Sequence, residues 1–486
     1  MMNRTKIVAT FGPACDNEAV FTAMLRAGLD VVRLNVSHLD PKALAATAAR
    51  VRKWAARAKL PLAVLADMPG PKIRCTVCEP ASFEAHPGQS IAVASGSAVS
   101  TPECLHIAYR HLLDDVKEGH ELAINDGLVL LRVERVDREA GCLRCSVVRG
   151  GPIASRKGVS FLHSTLRITG LTARDRQGIL AAAESEVDFV ALSFVRSVND
   201  VLAARRILAK TARPGLPLIA KIEQREAVAN IEEILAEADG VMVARGDMGI
   251  EQPLEQVPLL QKDIIRAANR AGKVVITATQ MLESMIENTR PTRAEVSDVA
   301  NAMLDGTDAV MLSAETAMGC DPAEVVETMT RIAAAAEGRF DSRQWLHRME
   351  TVATGPDDLD DALARATCQL ALDAALDAIV CLTYHGTTAR RISRYRPACP
   401  VFALSPSVEQ CRRLCLTWGV EPVEFPQGAA TRARGKDRPV SELLKAALKQ
   451  LRAQGRLPSG ARVAFLAGVP LQVPGGTNYL RVVEVF

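Results

Sequence analysis

From Thr5 onward, short apolar runs alternate with longer stretches in which Ala, Leu and Val recur at helical spacing. TKIVAT, DVVRLN at 30–35 and PLAVLAD at 61–67 read as buried strands, and the stretch through VRKWAARA as a helix between the last two. Strand alternating with helix predicts a parallel sheet. The alternation breaks between about 70 and 168, where VCEPASFEAHPGQSIAVASG and ELAINDGLVLLRVERVDREAGCLRCSVVRGG read as short strands divided by Gly, Asp and Pro turns. It resumes after TLRITGLTARDRQGI, with strand candidates at 188–193, 217–222, 240–243, 274–277 and 308–312. Three strands before the break and five after it make eight. Eight short apolar strands, each followed by a helix and with no Gly-rich first turn, fit a closed (β/α)8 TIM barrel better than an open dinucleotide-binding sheet.

A helical segment at 322–338 leads into polar sequence with Gly, Pro and Asp at 341–360, which reads as a linker. Beyond it, LDAIVCLTY, CPVFALSP and ARVAFLAGVP alternate with helical stretches and predict a smaller α/β unit with a parallel or mixed sheet. The expected division is a barrel domain at 1–69 and 169–345, a β-rich insertion at 70–168, and a C-terminal α/β domain at 346–486.

Length agrees, since 486 residues suit about three domains. A hydrophobic fraction of 48% against 24% charged fills sizeable cores and excludes a disordered chain. With 59 Lys and Arg against 56 Asp and Glu, the net charge of +3 argues against a dedicated nucleic-acid binder. No stretch reaches the roughly 18 apolar residues needed to span a bilayer, and the N-terminus lacks an apolar signal region, so a cytoplasmic protein without membrane partners is expected. The 12 cysteines are spread from Cys15 to Cys415 and are expected to be reduced thiols.

In a barrel the chemistry collects at the carboxyl ends of the strands. Here those ends carry Arg33, Asn35 and Ser37, then Asp67, Ser193, Lys221 and Glu223, Arg245 and Asp247, and Thr277 and Thr279. Residues i and i+2 of a strand face the same side, so Lys221 and Glu223 share one space, with Asp247 arriving from the next strand. A hard divalent ion takes one or two carboxylates plus substrate oxygens, while Lys and Arg neutralise phosphate, so the set suits phosphoryl or enolate chemistry. An ion-pair network tying the strands together is the alternative. Ser193 and Thr277 serve equally well as ordinary strand-end hydrogen bonders, and Arg74 as a cover for a strand end.

The ordered series TKIVATFGPA, VVRLNVSH, ADMPGPKIR, NDG, RKGV, LTARD, LIAKIE, MVARGDMG, KVVITATQMLESM, RPTRAEVSDVANAMLDGTDAVMLSAETAMG and GVPLQVPGGTNYLRV resembles the pyruvate kinase family over essentially the whole chain. The resemblance implies a barrel domain interrupted by a mobile β-barrel lid, a C-terminal regulatory α/β domain and a homotetramer. It implies phosphoryl transfer from phosphoenolpyruvate to ADP, giving pyruvate and ATP. Carried over, Arg33 holds the substrate phosphate, Lys221 the charge on the transferring phosphoryl group and forming enolate, and Glu223 and Asp247 the Mg2+ or Mn2+. Thr279 shapes proton delivery to the enolate, Ser193 lies in the same shell, and Arg74, His38 and Lys157 lie near the nucleotide.

Several residues depart from the family pattern. Lys72 stands where potassium-dependent relatives carry Glu, and Met68 and Pro69 replace the usual Thr and Lys. Asn35, Ser37, Asp67 and the Met68 carbonyl would otherwise cage K+, whereas the Lys72 ammonium supplies a fixed charge to that region. Activity without K+ is therefore expected, the alternative being that Lys72 points into solvent. Leu39, Asn125 and Gln224 are milder departures. In the last domain, TYHGTT at 383–388 offers Thr383, Gly386, Thr387 and Thr388 to a phosphate, and the family uses this loop for a sugar-phosphate effector. Tyr384 and His385 are unusual there, so a sugar monophosphate or a nucleotide competes with a bisphosphate, and a plain helix cap is the alternative. Cys75–Cys78 and Cys142–Cys145 have zinc-like spacing but lie in strand-like sequence without a knuckle glycine, which disfavours zinc.

Two other readings compete: a catalytically silent barrel scaffold, and a barrel aldolase or lyase acting on pyruvate enolate without ADP. Retention of Lys221, Glu223, Asp247, Arg33 and Thr279 argues against the first; Arg156, Lys157 and Gly158 in the insertion argue against the second.

Overall fold

The computed structural model describes residues 3–37, 39–168, 170–350, 358–425, 440–468 and 476–485. Eight strands close into a barrel: β1 Lys6–Thr10, β2 Val31–Asn35, β3 Ala63–Met68, β4 Phe189–Leu192, β5 Leu218–Ile222, β6 Gly240–Ala244, β7 Val274–Ala278 and β8 Ala309–Leu312. Each pairs in parallel with its sequence neighbours, and β8 returns to β1 through Lys6 opposite Ala309. The apolar residues divide as such a barrel requires. Val8, Val31, Leu65, Ala191, Ile219, Met242, Ile276 and Met311 pack in the lumen, and a larger cluster joins the outer strand faces to the surrounding helices.

The even-numbered strands share a device at their amino ends. Asp30, Asp188, Asp239 and Asp308 stand immediately before β2, β4, β6 and β8, and each accepts, at 2.8 Å, the N–H of a residue at the start of the preceding odd strand: Ile7, Val64, Leu218 and Val275. A parallel ladder leaves such amides without a partner at its start, and a carboxylate supplies a charge-assisted one. The barrel's own Lys6 and Arg205 neutralise Asp30 and Asp239. Asp188 and Asp308 instead draw on Arg412 and Arg396 of the C-terminal domain, each at 3.0 Å, with Arg52 as a second partner of Asp188.

Between β3 and β4, strands from Ser82 to Leu162 form a six-stranded sheet and a two-stranded ladder around a separate apolar core. The C-terminal domain is a five-stranded sheet, parallel except for its antiparallel edge strand Tyr479–Glu484. The stretch read as a linker contains the helix Ser342–Glu350, whose Trp345, Leu346 and Met349 pack into the C-terminal core. Its few apolar residues sit one turn apart, so the polar composition hid an amphipathic face. Residues 351–357 lie outside the described residues.

Candidate active site

Lumen positions recur every second residue along a strand. Counting upward from Val31, Leu65, Ala191 and Ile219 reaches Arg33 and Asn35, Asp67, Ser193, and Lys221 and Glu223, so the face that is apolar below turns polar at the carboxyl end. Thr277 has the other parity, and its hydroxyl donates to Thr307 at 2.9 Å, a structural contact.

Asp67 is the hub. Its Oδ2 accepts from Arg33 Nε at 2.7 Å, and its Oδ1 faces Lys221 Nζ at 3.4 Å and Ser193 Oγ at 3.5 Å. Lys221 donates to Ser193 Oγ at 2.6 Å and sits 3.0 Å from Glu223 Oε1. Burial pulls Lys221 toward its neutral form, but Asp67 and then Glu223 outweigh it and hold its pKa above the ordinary value. Burial likewise opposes ionisation of Asp67, and Lys221 and Arg33 overcome it, leaving that carboxyl below its usual range. Glu223 goes the other way: burial dominates and, despite Lys221, pushes it up to about 7, with Asp247 adding to the effect.

Glu223 Oε1 is fully buried and, although close to Lys221, receives no hydrogen bond of proper geometry. A buried lone pair without a donor, beside a second carboxylate, is the donor set a divalent cation satisfies. No group of three or more His, Cys, Asp or Glu converges among the described residues. Mg2+ needs no such group, since it takes one or two carboxylates and completes its shell with water and phosphate oxygens. Glu223 and Asp247 therefore fit it.

The cavity above this hub has a volume of about 660 Å3. Asn35, Ser37, Met68, Lys72, Arg74, Ser193 and Asp247 line it with Arg33, Asp67 and Lys221. Six cationic side chains, Arg156 and Arg174 included, face two carboxylates there, an excess suited to a phosphorylated anion. Lys72 is turned to Asp247 at 3.0 Å and to Asp126 of the inserted domain at 3.5 Å, rather than into solvent. Burial works against its charge, and Asp247 foremost overcomes this, raising its pKa. Glu223 lies beneath the cavity, Lys157 is exposed on the inserted domain, and His38 lies outside the described residues.

Two loops at the rim are held in left-handed backbone. Thr279 has φ +70°; its hydroxyl accepts from the Gly246 N–H at 2.8 Å and donates to Ala278 O at 2.6 Å. Arg245 secures that loop from beneath through the carbonyls of Thr279 and Gln280. Phe194, at φ +57°, donates its N–H to Glu223 Oε2 at 2.6 Å. Asp175, buried and absent from the sequence-derived set, accepts the Gly70 N–H at 2.9 Å and caps its own helix through Thr172. Arg174 donates to the carbonyls of Val36 and Ser37. The Thr-Ala-Arg-Asp capping pattern was the one available signal for Asp175.

In the C-terminal domain, Gly386 (φ +76°) precedes the helix Thr387–Arg394 and Thr383 is buried. Thr388 Oγ1 meets Thr477 Oγ1 at 2.7 Å, and Arg390 donates to the His385 carbonyl at 3.0 Å, adding a cation to the loop that its sequence alone did not indicate.

A closed (β/α)8 barrel with lysine, arginines and two carboxylates at its carboxyl mouth, beneath an inserted β domain, defines a phosphoryl-transfer enzyme. Residues 2–326 match the family model "Pyruvate kinase, barrel domain" and residues 361–483 "Pyruvate kinase, alpha/beta domain". Pyruvate kinase of Geobacillus stearothermophilus is 40% identical over 482 residues, covering 99% of this chain and 80% of the relative. That of Clostridium acetobutylicum is 39% identical over 99% of each chain. The crystal structure of a pyruvate kinase from Cryptosporidium parvum superposes with a TM-score of 0.91 at 32% identity, covering 100% of this chain and 96% of the other. The chain belongs to the pyruvate kinase family, and its reaction is transfer of a phosphoryl group from phosphoenolpyruvate to ADP.

Proposed function

We propose that this chain is a potassium-independent, effector-regulated pyruvate kinase, working as a cytoplasmic homotetramer with Mg2+ or Mn2+. The observation that carries potassium independence is the ion pair of Lys72 with Asp247, which fixes an ammonium in the cavity that Asn35, Ser37, Asp67 and Met68 also line. A permanent charge there does the work of a monovalent ion without an equilibrium for binding it.

In the reaction, Arg33 and Lys72 hold the phosphate-bearing substrate by charge. Lys221 keeps its proton, because Asp67 and Glu223 raise its pKa, and stabilises the charge that builds as the enolate oxygen loses its phosphoryl group. Ser193 orients that ammonium through its 2.6 Å hydrogen bond. Glu223 and Asp247 would hold the divalent ion, which would supply positive charge to offset that of the phosphate groups. Arg74, Lys157 and His38 serve the nucleotide, the inserted domain excludes water, and the Thr279 loop governs delivery of the proton to the enolate. The loop at Thr383–Thr388 takes the phosphate of a sugar phosphate or a nucleotide; its Gly386 turn and Arg390 support that reading.

One kinetic experiment tests this reading: ADP-dependent pyruvate formation in tetramethylammonium buffer, with Mg2+ or Mn2+, with and without K+, across a panel of phosphorylated sugars and nucleotides. Full turnover without K+ is expected, with one phosphorylated ligand lowering KM for phosphoenolpyruvate in the wild type but not in Thr388→Ala. Strong activation by K+ rejects the role of Lys72.

A further inference from the structure

The mouth of the barrel carries the chemistry, yet one of its key strands is anchored from the C-terminal domain at the opposite end. Asp188, wholly buried at the foot of β4, joins three parts of the molecule. Its Oδ2 accepts the Val64 N–H at the foot of β3 and an arginine hydrogen bond from Arg52 on the helix Pro41–Ala58. Its Oδ1 accepts from Arg412 Nε at 3.0 Å, on the helix Val408–Leu414 of the C-terminal domain. The two strands gripped by this carboxylate end in Asp67 and in Ser193, and these are the groups that face Lys221 Nζ at 3.4 Å and 2.6 Å. β3 and β4 run side by side with Ala191 opposite Asp67, so a displacement at their feet reaches the site along two adjacent, hydrogen-bonded strands.

We infer that Arg412 is a positioning residue for the kinase reaction: by neutralising Asp188 from the C-terminal domain it sets the relative placement of β3 and β4, and through Asp67 and Ser193 the placement of the Lys221 ammonium. The inference rests on the catalytic reading of Lys221. Without Arg412, Asp188 keeps the Val64 N–H and, among the described residues, Arg52 as its one ion-pair partner, so it is drawn to one side and the foot shared by β3 and β4 moves with it. A misplacement of about 1 Å at a reacting group can lower a rate by roughly a hundredfold, so a shift of a few tenths of an ångström corresponds to a several-fold loss. Because Lys221 acts on charge that develops in the transition state, the loss falls on kcat and leaves KM for phosphoenolpyruvate nearly unchanged.

The same interface holds a control. Arg213 of the barrel donates to Glu409, on the same C-terminal helix, at 2.6 Å and does not touch Asp188. Arg412→Met, Arg412→Lys, Arg213→Met and Lys221→Met are compared with the wild type in the full-length enzyme by steady-state kinetics and by unfolding midpoint. Arg412→Met is expected to lower kcat roughly three- to tenfold with KM within about twofold, Arg412→Lys to restore kcat to within about twofold, and Arg213→Met to leave it unchanged. Wild-type kcat in a folded Arg412→Met enzyme overturns the inference, whatever its unfolding midpoint. An equal fall in Arg213→Met also overturns it, since that would be general loosening of the interface. If Arg412→Met does not fold, Arg412→Gln takes its place with the same expected and overturning results. Lys221→Met reports separately on the reading beneath: near-normal turnover there rejects the role of the lysine itself.

Discussion

One buried carboxylate, Asp67, compensates two cations in the site, and among the described residues neither Arg33 nor Lys221 has another fully buried acidic partner except Glu223 beside the lysine. Asp67→Asn preserves shape and removes charge, leaving Arg33 without its carboxylate and Lys221 with Glu223 alone in a desolvated setting, at an expected loss of about 3–5 kcal/mol at neutral pH. The pH dependence has a definite sign. The folded-state pKa of Asp67 lies below its ordinary value, so its stabilisation is fully present above the unfolded pKa of about 3.9 and is lost as pH falls through the folded one. Denaturation of both proteins should show their stability gap narrowing in acid, and a gap that stays constant to low pH would show that Asp67 is not holding those cations. Residues of this kind were legible in the sequence because strand periodicity alone sends Arg33, Asp67, Ser193, Lys221 and Glu223 to one face. Phe194 was not, since it acts through its own backbone amide, and the capping pattern that marks Asp175 gives no hint of its bond to the Gly70 amide.

The turn from β3 into the inserted domain links an element of the barrel to the cavity wall. Gly70 has φ +68°, and a Cβ placed there would lie 2.7 Å from the Phe194 ring and 2.9 Å from the Ser193 carbonyl, while its N–H is held by Asp175. Gly70→Ala therefore meets both backbone strain and a contact that includes main chain, and should destabilise by about 1–3 kcal/mol while raising KM for phosphoenolpyruvate several-fold. Kinetics at saturating ADP would check it; an unaltered KM would mean the turn adapts without moving Ser193. Elements were legible in proportion to their burial. All eight barrel strands are apolar throughout their outer or inner faces and stood out, as did Ala378–Leu382, Val401–Ser405 and Arg462–Ala467. The edge strands Val420–Glu424 and Tyr479–Glu484 did not, because an edge tolerates Pro422 and charged residues that a central strand excludes.

Across the whole molecule, the C-terminal domain completes the barrel at its amino end. Cys415 and Leu416 join the lumen cluster, and Arg396 enters beside β8 as the largest side chain wholly removed from solvent. Its guanidinium donates to the Gly306 carbonyl at 2.7 Å, pairs with Asp308 at 3.0 Å, and lies 4.6 Å from the Trp418 ring centroid. The near-zero net charge of the chain hides this kind of local matching, and no local sequence pattern could have paired Arg396 with a residue 88 positions earlier. Asp308 still has to hold the Val275 amide when the arginine is gone, so Arg396→Met leaves a buried carboxylate with its hydrogen bond but without its cation. The expected cost is about 3–5 kcal/mol, and adding Asp308→Asn, which keeps an acceptor for Val275 and removes the charge, should recover a large part of it. Denaturant midpoints of the single and double variants measure this directly. If the double variant is no more stable than Arg396→Met, the arginine acts through its packing between the domains rather than as the counter-ion of Asp308, and of the four aspartates at the barrel's foot Asp188 alone would draw its charge balance from the second domain.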